Sequence, residues 1–252
     1  MNKVYKNSPE SGYTLIELVI VVIIVGILAS VVGNSLGSAV DVSRQEETMT
    51  EMNRLAYAIA GNPDKVSGGN RTDYGYIGDN GAPPPNWNAL VVNPGGYLTW
   101  DGPYLHDIFS SGGISSEFRL DAWGNPYSSP AGSAFSSSGG GATITRQYAH
   151  SLDALLYNRV TAVIVDIDNN PPGSDYMDSV RLALTFPDGS GGYSTVLKYP
   201  GRDGFVSYDS IPIGIHALRL VYIPEADTMM RRINVNPGSN PHIDIQYHSD
   251  VW

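Results

Sequence analysis

SGYTLIELVIVVIIVGILA, residues 11–29, has the composition of a membrane-spanning helix apart from one residue, Glu17. A carboxylate near the middle of a bilayer helix costs roughly 2.5–3.5 kcal/mol on insertion scales, so its presence asks for a functional reason. Upstream, residues 1–12 are short and polar and carry Lys3 and Lys6. Downstream, an almost unbroken apolar run extends from about Leu18 to Val32. Counted back to Tyr13, the membrane part covers about residues 13–33, close to the ~20 residues that span a bilayer. Lysines ahead of such a span place that end in the cytoplasm.

The helix is expected to continue past the membrane. Met52, Leu55, Ala56 and Ile59 recur at three- and four-residue spacing, while Arg44, Glu46, Glu47, Glu51 and Arg54 supply a polar face. Gly61-Asn62-Pro63 ends it. One helix over residues 13–61, half in lipid and half amphipathic, needs a partner for its apolar stripe.

With 252 residues and 42% hydrophobic content, the chain is long enough for one large or two small folded domains. A net charge of −10 leaves no basic surface to neutralise phosphates, so nucleic acid is excluded as a partner. The absence of cysteine removes thiol chemistry and disulfides and says nothing firm about compartment.

An ordinary secretory signal also has a positive start and an apolar core, and "ILAS" at residues 27–30 could serve as its cleavage site. Such a signal has no use for Glu17, and its removal would leave the amphipathic helix unexplained. "GYTLIEL", residues 12–18, resembles instead the signal of type IV pilins and pseudopilins, in which a peptidase cuts after the glycine. That resemblance implies a leader of residues 1–12 ending at Gly12. It makes Tyr13 the N-methylated first residue of the mature subunit, where the family usually has Phe, and gives Glu17 a role in assembly.

Residues 62–157 read as a small α+β unit, because clusters of Gly, Pro, Asn and Asp separate short apolar pieces. "NALVVNP", "WDGPYL" and "DAWGNPY" occur in the same order as in the major pseudopilin of type II secretion systems, so residues 13 to about 150 resemble that family. In "DAWGNPY" the residues read as a structural signature, with Trp123 and Tyr127 as buried aromatics and Gly124-Asn125-Pro126 as a turn. The family places a calcium-binding loop after this motif. Residues 128–155 carry no recognisable acidic ligand series there. No cofactor is therefore expected, and a structural calcium stays open at this point.

From about Asn158 the texture changes to alternating runs such as "VTAVIVDI", "SVRLALTF" and "HALRLVYI", spaced by turn clusters, the pattern of a β-sandwich over residues 158–252. Residues 203–223 resemble the transthyretin-like, carboxypeptidase-regulatory type of sandwich, with Asp203-Gly204 and Pro212-Ile213-Gly214 as its turns. The expected fold is thus an α+β pilin fold, a long N-terminal helix with a small antiparallel sheet, followed by an all-β sandwich.

Catalytic patterns fail on context, and the chain is not read as an enzyme. "GNSLG", residues 33–37, fits G-x-S-x-G as text but lies on a helix, where that chemistry needs a strand-turn-helix elbow. Asp166, Asp168 and Asn170 have calcium-loop spacing, yet Pro171 and Met177 stand where such a loop needs Gly and Glu, so a turn ending a strand is favoured. His242, Asp244, Gln246, His248 and Asp250 alternate onto one strand face, a conceivable zinc set; a solvated edge with Ile243, Ile245 and Tyr247 inward is preferred.

The resemblance implies a homo-oligomeric filament subunit held in the bacterial inner membrane by a single pass, with its globular part in the periplasm. Its partners would be the prepilin peptidase, other pseudopilins, an assembly platform with its ATPase, and the secretin pathway. A surface pilus belongs to the same class. From a different class, the chain could be a membrane-tethered module whose sandwich binds carbohydrate or protein, with Tyr193, Tyr199, Tyr208 and Tyr222 as either binding or core aromatics.

Overall fold

The structure is a computed structural model that describes residues 12–105, 116–248, 250 and 252, and for residues 31–36, 116 and 117 the backbone alone. The expected leader up to residue 11, with its two lysines, lies outside the described residues, as do the side chains of 33–36 in "GNSLG". The chain separates into two compact units, residues 1–46 and 47–252. Helix α1, Leu15–Ala60, contributes to both.

In the first unit α1 carries bare apolar side chains from Leu15 to Leu28, exposed by 47% at Val19 and by 83% at Leu15. A continuous apolar surface of this kind is unfavourable in water and marks a face meant for lipid or for another protein. Among the described residues no helix is long and apolar enough to cross a membrane. The side chains of residues 31–36, where the apolar run of the sequence ends, are outside the described set.

In the second unit the other end of α1 is packed. Met52, Leu55, Ala56 and Ile59 are buried, the stripe expected from their spacing. They share a core with Tyr76, Ile77, Trp87, Leu90, Phe135 and Leu155. The helix stops at Gly61, whose N–H donates to the Tyr57 carbonyl at 2.8 Å with φ at +79°. A Cβ there would fall 2.2 Å from the Asp73 carbonyl oxygen, so both the conformation and the space require glycine.

The segment laid on this helix is mostly turns. It contains the two-residue strands β1 (Val66–Ser67) and β2 (Asn70–Arg71), helix α2 (Gly75–Asn80), the antiparallel hairpin of β3 (Ala134–Ser137) and β4 (Ile144–Gln147), and helix α3 (Leu152–Leu156). The small sheet expected here is, among the described residues, two separate hairpins. Glycine and proline interrupt the backbone too often for longer ladders.

Among the described residues seven strands follow: β5 (Asn158–Val165), β6 (Val180–Pro187), β7 (Tyr193–Lys198), β8 (Phe205–Ile211), β9 (Gly214–Tyr222), β10 (Asp227–Val235) and β11 (His242–Gln246), with the short helix α4 (Gly173–Tyr176) between β5 and β6. They form a four-stranded sheet in the order β10-β9-β6-β7 and a three-stranded sheet in the order β11-β5-β8. Burial alternates along β5 and β9 as a half-buried strand requires. Inward residues of both sheets, among them Val160, Ile164 and Tyr208 from one and Leu182, Leu218 and Ile233 from the other, belong to one hydrophobic cluster. Pro212-Ile213 carries the chain from β8 in one sheet to β9 in the other. All pairings are antiparallel except that of β11 with β5, which is parallel with Thr161 opposite His242.

Candidate functional site

The processing junction comes first in the chain. Gly12 and Tyr13 are exposed, and α1 begins two residues later. The Thr14 N–H and hydroxyl both donate to Glu17 Oε2 at 2.9 Å, and the Glu17 N–H reaches back to Thr14 Oγ1 at 3.4 Å. This is a capping box: Thr at the helix entrance and Glu three residues on satisfy each other's backbone donors. The T-x-x-E spacing was open to view in the sequence, but reading Glu17 only as an intramembrane charge passed over it. In the single chain the carboxylate serves its own helix.

In "DAWGNPY" the organising residue is Asp121, which sequence reasoning left unnamed. It is buried, and its Oδ1 accepts from the Trp123 N–H at 3.0 Å and the Asn125 N–H at 2.8 Å, while Oδ2 accepts from the Ser137 hydroxyl at 2.5 Å. Burial opposes its charge, but these hydrogen bonds outweigh it and hold the carboxyl below its ordinary range. Gly124, at φ +84°, and Asn125 close the turn, and the Asp121 N–H donates to the Asn125 carbonyl at 2.8 Å. The loop is pinned to α1 twice. The Ala122 N–H donates to the buried Thr48 Oγ1 at 3.2 Å, and the Tyr127 hydroxyl donates to Glu51 Oε2 at 2.9 Å.

Tyr127 is buried, within 6.1 Å of the Trp87 ring and 5.8 Å of the Phe135 ring. Trp123 departs from expectation, being only partly buried. Its ring lies on the backbone of Gly139 and Gly140 instead of entering the core, and a Cβ at those glycines would come within 2.3 and 2.7 Å of it. The hydrogen bonds of Asp121, Thr48 and Glu51 hold this loop in shape against α1.

The metal-like sets do not assemble. Asp166 is buried and accepts from the Asp168 and Asn170 N–H groups at 2.9 and 2.7 Å, a turn that ends β5. Of the proposed zinc face, His242 lies 3.3 Å from Asp244, whereas His248 turns to Asp227 at 3.2 Å and Gln246 bonds the Ile167 carbonyl. Ile245 and Tyr247 are buried behind them. Among the described residues no three His, Asp or Glu side chains could hold one metal ion. Of the four tyrosines, Tyr208 and Tyr222 are core, while Tyr193 and Tyr199 stay more than half exposed.

Comparison with known proteins identifies one family feature. Residues 7–33 match the prokaryotic N-terminal methylation motif. This is a prepilin-like signal, and it makes the chain a membrane-anchored, export-related protein. No curated relative matches the chain. Among solved structures, the dioxygenase domain of a dioxygenase–carbohydrate-binding fusion from Streptomyces sp. SirexAA-E aligns over 38% of this chain and 81% of its own, at 12% identity and a TM-score of 0.31. BcpA, the major pilin subunit of Bacillus cereus, aligns over 44% of this chain at 9% identity and a TM-score of 0.24, and the match spans about a third (32%) of its length. Both lie below the similarity at which a shared fold is read.

Proposed function

We propose that the chain is a structural subunit of a type IV pilin-like filament, and within that class of a type II secretion pseudopilus. The prepilin peptidase cuts after Gly12 and Tyr13 is N-methylated. The subunit waits in the inner membrane as a single-pass protein with its second unit in the periplasm. An assembly platform and its ATPase then draw it, with other pseudopilins, into a filament that pushes clients toward the secretin. It carries no catalytic role. One observation supports this reading above the rest: the methylation motif over residues 7–33 runs into a helix whose apolar side chains stand bare from Leu15 to Leu28, with Glu17 as the lone charge among them. The two layers of strands over 158–252, sharing one core, serve in it as a sandwich appended to the pilin part.

Cleavage leaves an amine on Tyr13, one helical turn from Glu17, and neither charge is comfortable in an apolar layer unless paired. In a packed filament the carboxylate of one subunit meets the amine of its neighbour and sets the axial register. Mass spectrometry of the mature chain is expected to find an N-terminus at methylated Tyr13, with filaments in sheared material by negative-stain microscopy. A chain beginning near Ser30 would overturn the reading. A dispersed membrane protein that binds glycans would favour the tethered module instead.

A further inference from the structure

In the four-stranded sheet one set of alternating residues enters the shared core, and the other set points away from it. That outward set holds one arginine on each of three adjacent strands: Arg181 on β6, Arg219 on β9 and Arg232 on β10. The register makes them neighbours. Arg181 stands opposite Val221, two residues from Arg219, and Arg219 stands opposite Met230, two residues from Arg232. Diagonal neighbours of this kind lie ~7–8 Å apart, so the three positive charges form one row.

No counterion answers them. Among the described residues none of the three takes part in an ion pair, and the remaining outward residues of the four strands are uncharged. Apolar side chains surround the row, with Met230 and Tyr193 each 62% exposed, Leu197 53% and Ile215 45%. Arginine, methionine and tyrosine are the residues in which protein interfaces are enriched, and a face of one sign selects a partner of the other.

The chain itself carries the matching surface. Residues 166–179, between β5 and β6, contain four aspartates and no lysine or arginine. Asp166 is buried in its turn, whereas Asp168, Asp175 and Asp178 are exposed and, among the described residues, make no ion pair. Ile167 and Tyr176 stand exposed among them. Asp178 precedes Arg181 by only three residues, yet the two do not pair within the chain. Both surfaces are left for a neighbour, and at a net charge of −10 another copy of this chain is a negative one.

We propose that the outward face of β10-β9-β6-β7 docks residues 166–179 of a second copy of this chain, with Asp168, Asp175 and Asp178 pairing with Arg181, Arg219 and Arg232. Guanidinium and carboxylate groups pair in a planar, two-pronged geometry, which sets orientation as well as attraction. Because the two surfaces differ, each copy offers its aspartates to one neighbour and its arginines to another. Such a heterologous contact repeats into a ring or an open helical filament. The setting rests on the filament reading, and the contact is tested apart from it.

The test follows the full chain in detergent micelles by sedimentation velocity, where concentration-dependent oligomers are expected. One variant reverses the face, Arg219→Glu with Arg232→Glu; another reverses the segment, Asp175→Arg with Asp178→Arg, all four at exposed positions. Each alone should associate at least tenfold more weakly. Their equimolar mixture should recover association, since opposite charges then meet at both contacts. If either fails to fold by circular dichroism, Arg219→Gln and Asp175→Asn decide, each expected to weaken association at least twofold. A natural chain that stays monomeric, association that survives either reversal, or a mixture of folded variants that does not recover would overturn the proposal. So would phosphatidylglycerol vesicles bound by the natural chain and lost by the face variant while self-association is untouched, which would give the face to lipid headgroups. Filaments formed at normal yield by the face variant would overturn the contact and leave the filament reading standing. Recovery in the mixture, with no filaments from the natural chain in cells, would support the contact and remove the filament reading.

Discussion

Glu17 has a partner in its own helix and, under the filament reading, a second in a neighbour's amine, and only the second depends on charge. Glutamine can replace glutamate in a capping box, whereas valine cannot. Glu17→Val and Glu17→Gln should both insert and be processed at least as well as the natural chain, since each removes a costly charge from the apolar segment. If pairing sets the register, both lose filaments by microscopy and accumulate as membrane monomer; filaments restored by Gln alone would assign Glu17 to capping. Asp79 of α2 makes a different forecast. Burial raises its carboxyl in the folded chain, so its ionisation costs stability as pH climbs from the unfolded value near 3.8 through about 6. Asp79→Asn should therefore stabilise the protein by about 2 kcal/mol at pH 7.5 in denaturant unfolding, and the gain should vanish near pH 4.

Elements are held to one another through few contacts, and the loop of "DAWGNPY" shows which ones matter. Tyr127→Phe leaves Glu51 half-buried without its donor, so burial, already raising that carboxyl, acts with less opposition. A loss of about 1–2 kcal/mol in unfolding free energy is expected, with the packing of the ring intact. Gly204→Ala should cost more, about 3 kcal/mol, because φ is +76° and the new Cβ would sit 2.2 Å from the Ile164 carbonyl oxygen. Much at this scale could be read from residue order. The spacing of Met52, Leu55, Ala56 and Ile59 names the buried stripe of α1, and period-two alternation marks the strands. What stayed hidden depends on distant partners. Asp121 is satisfied by Ser137 from another segment, and Trp123 is drawn out of the core by two glycines of the β3–β4 connection. Alternation identifies β11 as a strand but is silent on its parallel partner, and His248 leaves its neighbours for Asp227 of another sheet. Period counts faces; it does not count partners.

Across the second unit the turn-rich segment and the strands are stitched together. Ile213, in the link between the sheets, packs in the core of α1 and donates from its N–H to the Leu155 carbonyl at 2.8 Å. The Gly189 N–H bonds the Asn80 carbonyl, the Gly238 N–H bonds the Ala154 carbonyl, and the Tyr74 hydroxyl bonds Asn236. A fragment of residues 158–252 keeps the whole strand cluster but loses these ties. It should unfold cooperatively by circular dichroism, at a lower midpoint than residues 47–252. A disordered fragment would mean that the strands depend on the α1 core.

The parallel pairing of β11 with β5 also imposes a schedule. Thr161 meets its partner His242 only 81 residues later along the chain. Contacts this distant form slowly, and until β11 arrives one edge of β5 stays open. Closure of that edge must wait for residues 242–246. Its closure therefore reports that the chain is present and folded at least as far as β11. A chain truncated before Pro241 would present an unpaired strand edge to proteases and to other chains.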